Sequence, residues 1–218
     1  MNLKTIKWQI QNNLGYLSLA TPPKNEMNTT FFKEFSHLIH EIKDNNSISG
    51  LIIHAEGRHF SSGANIDQLL SLFDQSDGEI LEPIIRNRIA FQVLSDLPFP
   101  VVACIKGICF GSALELALCA HFRIAAPNAL LCLPETSFNI IPGLAGIYHT
   151  QQCMGSAKTL QFVLSGDTIS ANNALKNGLI DIFADKNDLV AYAAEFINYK
   201  KELKLKNYLR LFKKQNAS

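Results

Sequence analysis

The sequence predicts a soluble α/β protein in which helices alternate with the strands of a buried sheet, and three observations support this fold class. Apolar side chains recur at helical spacing between Phe31 and Ile42, as on a helix with one buried face. Residues 50–55 and 101–105 are short runs rich in β-branched and other apolar side chains, which indicates strands buried on both faces. This alternation predicts βαβ-type units around one sheet.

The length and composition favour one globular domain. The chain has 218 residues, of which 47% are apolar and 18% charged, so it is long enough for one large core and short for two domains. Its five cysteines form no C-x-x-C pair, and we interpret them as buried free thiols in a reducing compartment. We predict one domain over residues 1–199 and a separate tail over 200–218.

The first elements of the chain have clear local signals. Apolar runs at residues 6–10 and 14–20 flank Asn12-Asn13, which predicts a β-hairpin. Asn28 is a good N-cap for the first helix, which we expect to end near Asn45-Asn46.

The remaining predicted elements continue the alternation. We predict helices over residues 66–72, 81–96, 112–120, 144–154, 157–164, 171–177 and 188–199. We predict further strands over residues 101–105, 122–126 and 130–133, and a surface loop over the polar stretch 74–79.

Glu115 is a carboxylate inside an apolar segment of a predicted helix. Its neighbours over residues 113–119 are otherwise apolar, and burial of an unpaired charge is costly or raises the pKa of the carboxyl group. Two interpretations stay open. Glu115 either lies on an exposed stripe of the helix or accepts from nearby backbone, or it is a buried functional carboxylate.

Glu135 follows Pro134 at the end of an apolar run. A glutamate in a first helical turn after proline is favoured by the helix dipole, so a structural role explains it locally. If Glu115 and Glu135 project into one pocket, they form an acid/base pair. The residues alone do not establish that they meet.

Two glycine-containing loops, residues 60–65 and 106–112, follow predicted strands. Such turns leave backbone N–H groups free at a helix N-terminus, where an oxyanion can bind. Each loop taken singly is also typical of an ordinary strand-to-helix turn.

In order and spacing, five segments of the chain resemble motifs of the crotonase (enoyl-CoA hydratase/isomerase) family. Residues 25–28, Asn-Glu-Met-Asn, resemble its N-terminal thioester-binding segment, and residues 57–66 its first oxyanion loop, G-x-x-F-[CS]-x-G-x-D. Residues 101–117 resemble the strand-turn-helix that ends in G-G-G-x-E-L-A. Residues 133–146 resemble the P-E-x-x-x-G-x-x-P-G-x-G segment, and residues 164–181 the L-[TS]-G-x-x-[IF]-x-A stretch. The resemblance covers nearly the whole body of the chain.

The resemblance implies a crotonase-like spiral of ββα units with a shortened C-terminal helical region, and it implies roles for single residues. The backbone N–H groups of Ala64 and Ser112 would form an oxyanion hole for the thioester oxygen. Glu115 and Glu135 match the two positions that are both glutamate in members that add water. Residues expected to contact the substrate or its coenzyme A are Asn25, Met27, Ser62, Gly63, Ile66, Gly111 and Gly143. No cofactor is implied beyond the coenzyme A of the substrate, and the histidines show no spacing of metal ligands.

Three departures from the family pattern concern the substrate. Asn65 and His121 stand where aspartates are common, and Ser112-Ala113 replaces two glycines. Ser112 still supplies its N–H. The resemblance therefore defines the reaction class better than the acyl group.

The resemblance implies an enzyme of lipid or fatty acid metabolism, a lyase that hydrates 2-enoyl-CoA or dehydrates 3-hydroxyacyl-CoA. Glu115 would activate water for attack at the β-carbon, and Glu135 would deliver a proton to the α-carbon. A Δ3-Δ2 enoyl-CoA isomerase is the second possibility, although it needs only one carboxylate. A dehydratase or decarboxylase of carrier-protein-bound polyketide intermediates, and a non-catalytic acyl-thioester- or RNA-binding relative, also share the scaffold.

Location and partners follow from the two ends of the chain. Residues 1–13 lack the apolar core of a signal peptide, and prolines and charges interrupt the longest apolar stretch, 97–122; we expect a cytoplasmic protein without a membrane span. Residues 200–218 contain seven Lys or Arg and one Glu. So short a basic segment argues against nucleic-acid binding by the whole protein.

The basic tail has two interpretations. Its apolar side chains predict an amphipathic helix docked on the body or on a neighbouring subunit, with the lysines in solvent. Alternatively, its lysines meet the phosphates of coenzyme A or an acidic acyl carrier protein. The resemblance implies a homotrimer or a dimer of trimers.

Overall fold

Strands and helices alternate along the part of the chain that the computed structural model describes, which is residues 3–72, 77–184 and 188–202. The strands are β1 (Ile6–Gln11), β2 (Leu14–Leu19), β3 (Gly50–Ala55), β4 (Val101–Ile105), β5 (Ile108–Phe110), β6 (Phe122–Ala125), β7 (Leu130–Cys132), β8 (Ile169–Ser170) and β9 (Ile182–Phe183). The α-helices are α1 (Thr29–Ile42), α2 (Ile66–Leu72), α3 (Asp77–Ser95), α4 (Ser112–Cys119), α5 (Gly146–Met154), α6 (Ser156–Ser165), α7 (Ala171–Lys176) and α8 (Leu189–Glu202). A 3₁₀ helix spans Glu135–Phe138. The predicted α/β class is confirmed.

The strands form two sheets. The larger sheet has the order β1-β2-β3-β4-β6-β9, and a three-stranded sheet has the order β5-β7-β8. Among the described strands of the larger sheet, β1 and β2 pair antiparallel, and β2, β3, β4, β6 and β9 run parallel. Because parallel strands end at the same edge of a sheet, the loops after β3 and β4 emerge side by side.

Helices cover both faces of the larger sheet. Phe31, Phe35 and Phe91, from α1 and α3, pack together on one face, with ring centroids 5.7 and 5.5 Å apart for successive pairs. On the opposite face, Ile197 of α8 packs with Ile52 and other apolar side chains. Burial of each such large side chain contributes about 1.5–3 kcal/mol. The double cover explains why β4 is apolar and buried throughout.

The hairpin and the first helix follow the sequence prediction. Asn12 and Asn13 both have positive φ, 51° and 61°, as a two-residue turn between right-twisted strands requires. Asn28 caps α1, and its side chain accepts from the N–H of Phe31 at 2.9 Å.

Two local predictions were wrong. Helix α3 begins at Asp77, so residues 77–79 of the predicted surface loop are helical, while residues 73–76 lie outside the described residues. Residues 108–110, predicted as part of a turn, form strand β5 because they pair in parallel with β7. Strand β7 lies about twenty residues further along the chain, so no local pattern in the sequence indicates this pairing.

Most of the predicted tail lies outside the described residues. Helix α8 continues to Glu202, past the expected boundary between residues 199 and 200. The division into a body and a tail, and the shortened C-terminal region, therefore stay predictions. Within the described parts, no helix is both long and apolar enough to cross a membrane.

Candidate active site

A cavity of about 400 Å³ opens between the loop after β3, the start of α4, the segment after β7 and helices α1 and α3. Every site residue predicted from the sequence lines this cavity except Asn25. The structure therefore brings together residues from four of the five motif segments. The geometry of each group determines what the cavity can do.

Glu115 lies in the first turn of α4 and is only 1% exposed, which excludes a place on an exposed stripe. Its Oε1 accepts from the N–H groups of Leu144 at 2.7 Å and Gly146 at 2.9 Å. No described residue donates to Oε2. The carboxylate is thus held by one oxygen, and the other remains for a ligand or water.

Glu135 begins the 3₁₀ helix directly after Pro134, as its first-turn interpretation predicted, but its carboxyl group is buried. Oε2 has no hydrogen-bond partner among the described residues. A Cβ on Gly111 would lie 3.2 Å from Oε1, so the backbone before α4 passes close to this carboxyl. Burial raises the pKa of Glu135 to about 7.

The two carboxyl groups are electrostatically coupled. Burial, and after it the negative charge of Glu135, raise the pKa of Glu115 to about 7, although the two backbone N–H donors act in the opposite direction. With both pKa values raised to about 7, a state with one ionised and one protonated carboxyl is populated near neutral pH. One carboxylate and one carboxylic acid facing a common cavity can work as base and acid.

Ala64 supplies a backbone N–H that the fold leaves unused. The N–H of Met27 bonds to Gly63 O at 2.8 Å, and the N–H of Asn65 bonds to Met27 O at 3.1 Å. Because successive N–H groups of an extended segment point to opposite sides, the N–H of Ala64 points away from Met27. It donates to no acceptor among the described residues.

Ser112 supplies the second unused N–H, because it is the first residue of α4 and the first N–H groups of a helix have no intrahelical partner. The two loops touch. Gly63 has φ 91°, and a Cβ there would lie 2.5 Å from Phe110 O and 3.5 Å from Ser112 N. Two neighbouring N–H donors, one at a helix N-terminus, can bind an oxyanion.

Asn25 lies outside the cavity and is 2% exposed. Its Oδ1 accepts from Thr21 N, and its Nδ2 donates to the carbonyl oxygens of Glu56 and His59. Asn25 has φ 48°, and its hydrogen bonds join the segment before Met27 to the loop after β3. The geometry gives it a supporting position, whereas the sequence predicted direct contact with substrate.

Two of the three departures from the family pattern, Asn65 and His121, have hydrogen-bond partners. Asn65 donates to Glu26 Oε2 at 2.7 Å and accepts from Gln68 N at 2.8 Å, which caps α2. His121 accepts from Val101 N through Nδ1, and its Nε2 lies 3.1 Å from Ser95 O. Both residues tie loops near the cavity to the sheet and helices.

The sequence analysis did not predict two segments that complete the lining of the cavity. Helix α3 contributes Pro83, Ile84, Arg86 and Asn87, and the segment after the 3₁₀ helix contributes Ile140 and Ile141. No motif marks α3, and its residues reach the cavity only because the helix packs beside α4. Among the described residues, no cluster of three or more His, Cys, Asp or Glu is placed to hold a metal ion.

Comparison with known sequences gives one family. A sequence model described as enoyl-CoA hydratase/isomerase matches residues 9–216. The chain is 34% identical over 199 residues to the "Probable enoyl-CoA hydratase" of Bacillus subtilis (strain 168), which covers 89% of this chain and 76% of that protein. It is 32% identical over 173 residues to the fatty acid oxidation complex subunit alpha of Psychrobacter cryohalolentis, covering 79% of this chain and only 24% of that protein.

Solved structures share the fold over nearly the whole chain. An enoyl-CoA hydratase from Bacillus halodurans superposes with a TM-score of 0.88 at 23% identity, covering 98% of this chain and 88% of the other. One from Bacillus anthracis gives 0.82 at 25% identity, covering 90% and 76%. These likenesses confirm the predicted crotonase-like fold.

Proposed function

The chain belongs to the enoyl-CoA hydratase/isomerase family, and from this premise we propose that it hydrates 2-enoyl-CoA thioesters or catalyses the reverse dehydration. One observation supports the proposal above all. Two buried glutamates, each with a pKa raised to about 7, line the same cavity as two unused backbone N–H groups. Hydration needs a base, an acid and an oxyanion hole, and this cavity offers candidates for all three.

In the proposed reaction, the thioester carbonyl oxygen accepts from the N–H groups of Ala64 and Ser112. Glu115 takes a proton from water while the water oxygen attacks the β-carbon. The charge moves onto the thioester oxygen as an enolate, which the two N–H groups stabilise. Glu135 then gives its proton to the α-carbon, so one water is added across the double bond. Proton exchange with solvent restores both glutamates.

The hydrogen bonds support the proposed roles of base and acid. Oε1 of Glu115 accepts two backbone N–H bonds, and donors to a carboxylate stabilise its ionised form. Oε2 of Glu135 has no donor among the described residues, so the ionised form of this group is less stabilised and Oε2 is available to hold a proton. Glu115 therefore suits the base and Glu135 the acid.

Isomerisation of a 3-enoyl thioester is the second reaction of the family, and the second glutamate argues against it. A single carboxylate can remove a proton at one carbon and return it at another. Retaining two buried carboxyls for that task would add a burial cost without a chemical use. We therefore place hydration first.

We propose that the acyl group is carried by coenzyme A, in line with the names of the relatives, and that an acyl carrier protein is the alternative carrier. No cofactor takes part in the proposed steps. We further propose that the protein assembles as a trimer or a dimer of trimers and is located in the cytoplasm. Light scattering of the purified protein tests the assembly.

The test is product analysis in ¹⁸O-labelled water. Incubation with 2-butenoyl-CoA should give 3-hydroxybutanoyl-CoA with the label at the β-carbon. The same enzyme should convert 3-enoyl-CoA much more slowly. Fast conversion of 3-enoyl-CoA to 2-enoyl-CoA, with no label entering the product, would instead support the isomerase.

A further inference from the structure

Arg86 and Asn87 carry buried polar atoms that nothing in the described chain satisfies. Both residues lie on α3 and line the cavity. Nε of Arg86 and Oδ1 of Asn87 are inaccessible to solvent and have no hydrogen-bond partner among the described residues. Buried polar atoms are almost always paired, since an unpaired one loses its water without compensation. Because these two atoms are inaccessible, a ligand in the cavity would reach Arg86 through the exposed part of its side chain, which is 29% of it.

The charge of Arg86 is also weakly compensated. Its Nη1 lies 3.3 Å from Oε2 of Glu82, one helical turn away, and the Glu82 side chain is 69% exposed. An exposed pair of this kind contributes little and is easily exchanged for a better partner. Arg86 has five N–H donors in a planar fork that matches a carboxylate. Most of this capacity is unused within the described residues.

The surroundings of the pair are apolar. Pro83 and Ile84 come from the same helix, and Ile140 and Ile141 line the cavity after the 3₁₀ helix. A wholly apolar acyl chain would displace water from the exposed part of Arg86 and supply no partner for its charge. An acyl chain that ends in a carboxylate would supply that partner while its methylene groups contact the apolar wall.

We propose that the enzyme selects acyl thioesters that carry a second, free carboxylate on the acyl chain, and that Arg86 and Asn87 bind it. Arg86 forms the ion pair. The same carboxylate accepts from Nδ2 of Asn87, which, unlike Oδ1, is not among the inaccessible unpaired atoms of the described residues. This inference rests on the proposed function for the reaction and adds the substrate class.

The experiment compares two 2-enoyl-CoA substrates of equal chain length, one ending in a methyl group and one in a carboxylate, at several chain lengths. The measured quantity is the ratio of kcat/KM for the carboxylate substrate to that for the methyl substrate. We expect the wild-type ratio to exceed one. Arg86→Gln should lower it about tenfold or more, because a charge-assisted bidentate pair is lost, and Asn87→Ala should lower it less. Arg86→Lys, which keeps the charge without the fork, should give an intermediate ratio.

Lys33→Gln is the matched control, because Lys33 also lines the cavity but its side chain is exposed. It should change the ratio far less than Arg86→Gln. A wild-type ratio below one, an equal effect of both substitutions, or a preference for a terminal hydroxyl over a carboxylate would overturn the proposal.

Calorimetry with saturated acyl-CoA pairs separates this inference from the proposed function. Saturated thioesters cannot be hydrated, so their binding tests selectivity even if neither enoyl substrate is turned over. Wild-type protein should bind the carboxylate-bearing thioester more tightly than its methyl counterpart, and Asn87→Ala should reduce the difference even if Arg86→Gln fails to fold. Equal binding of the two would contradict the carboxylate site whatever the reaction is.

Discussion

The N–H of Gly146 donates a hydrogen bond of 2.9 Å to Oε1 of Glu115, although the two residues are 31 positions apart in the chain. Gly146 is the first residue of α5, so the carboxylate accepts from the N-terminus of one helix while it projects from another. The positive end of the α5 dipole favours the ionised form. This contact links the packing of α4 against α5 to the basicity of Glu115.

Gly146→Ala should damage catalysis through this contact. A Cβ at Gly146 would lie 2.8 Å from both Cγ and Oε1 of Glu115, so the carboxylate must move. We expect kcat/KM for hydration to fall at least about tenfold, because a general base must stay within hydrogen-bond reach of its proton, and the free energy of unfolding to fall by about 1–3 kcal/mol. Enzyme kinetics and denaturant unfolding measure the two effects.

Gly143→Ala is the control for the unfolding part of that prediction. Gly143 lies three residues away in the same segment, and a Cβ there meets nothing within 4 Å. Its free energy of unfolding should stay close to that of wild type. Equal destabilisation by both substitutions would show that the segment, and not the contact with Glu115, is sensitive.

Ser112→Pro should abolish activity far more than Ser112→Gly. Proline at the first position of a helix is well tolerated and removes only the N–H. The residue before a proline is usually extended. The ψ of Gly111, −127°, is the mirror image of that extended value, which a glycine adopts readily. Loss of one oxyanion donor costs about 3 kcal/mol of transition-state stabilisation, roughly a hundredfold in kcat. If Ser112→Gly proves the more damaging change in a folded protein, the hydroxyl and not the backbone N–H acts on the substrate.

The rate of hydration should depend on pH as a narrow bell. The reaction needs Glu115 ionised and Glu135 protonated, and both groups have pKa values raised to about 7. At pH values below that of the maximum, protonation of Glu115 lowers the rate. At pH values above it, ionisation of Glu135 lowers the rate. We expect kcat/KM to peak near neutral pH. A flat profile from about pH 6 to about pH 9 would contradict the acid/base pair.

Glu115→Gln should stabilise the fold at alkaline pH. In wild type, burial raises the pKa of Glu115 from 4.5 to about 7, so the folded protein holds this proton more tightly than the unfolded chain. The resulting stabilisation is full below about pH 4 and is lost as pH rises through 7. Glutamine has no proton to lose, and its carbonyl oxygen can still accept from Leu144 and Gly146.

The measurement for this prediction is the free energy of unfolding of both proteins at pH 5 and pH 8. The variant should gain roughly 2 to 3 kcal/mol relative to wild type between the two values, from the size of the pKa shift. A difference that stays constant with pH would mean that the pKa of Glu115 is the same in the folded and unfolded protein.

Local patterns in the sequence predicted most elements of the fold. The N-cap at Asn28, the turn at Asn12-Asn13 and the buried strands each have a signal within a few residues. Strand β5 has none, because it forms only by pairing with β7, and β8 and β9 are two residues each. Two-residue strands are too short for any periodicity to show.

A residue of the candidate site could be predicted from the sequence where its type conflicts with that of its sequence neighbours. Glu115 stood out because a carboxylate in an apolar helix must be paired, exposed or functional. The placement of Glu115 and Glu135 in one cavity was not predictable from either segment, since it depends on the approach of the 3₁₀ helix to Gly111. Arg86 and Asn87 look like ordinary surface residues of a helix, and only the packing of α3 against α4 reveals them as cavity lining.

Hydration of 2-butenoyl-CoA by wild type, Glu115→Gln and Glu135→Gln tests the two-glutamate mechanism most directly. The glutamines keep the size and shape of both side chains, so the fold and thioester binding should persist. We predict that wild type forms 3-hydroxybutanoyl-CoA and that each substitution lowers kcat by about two orders of magnitude or more. Near-wild-type hydration by either variant would remove that glutamate from the mechanism and contradict the proposed function of the pair.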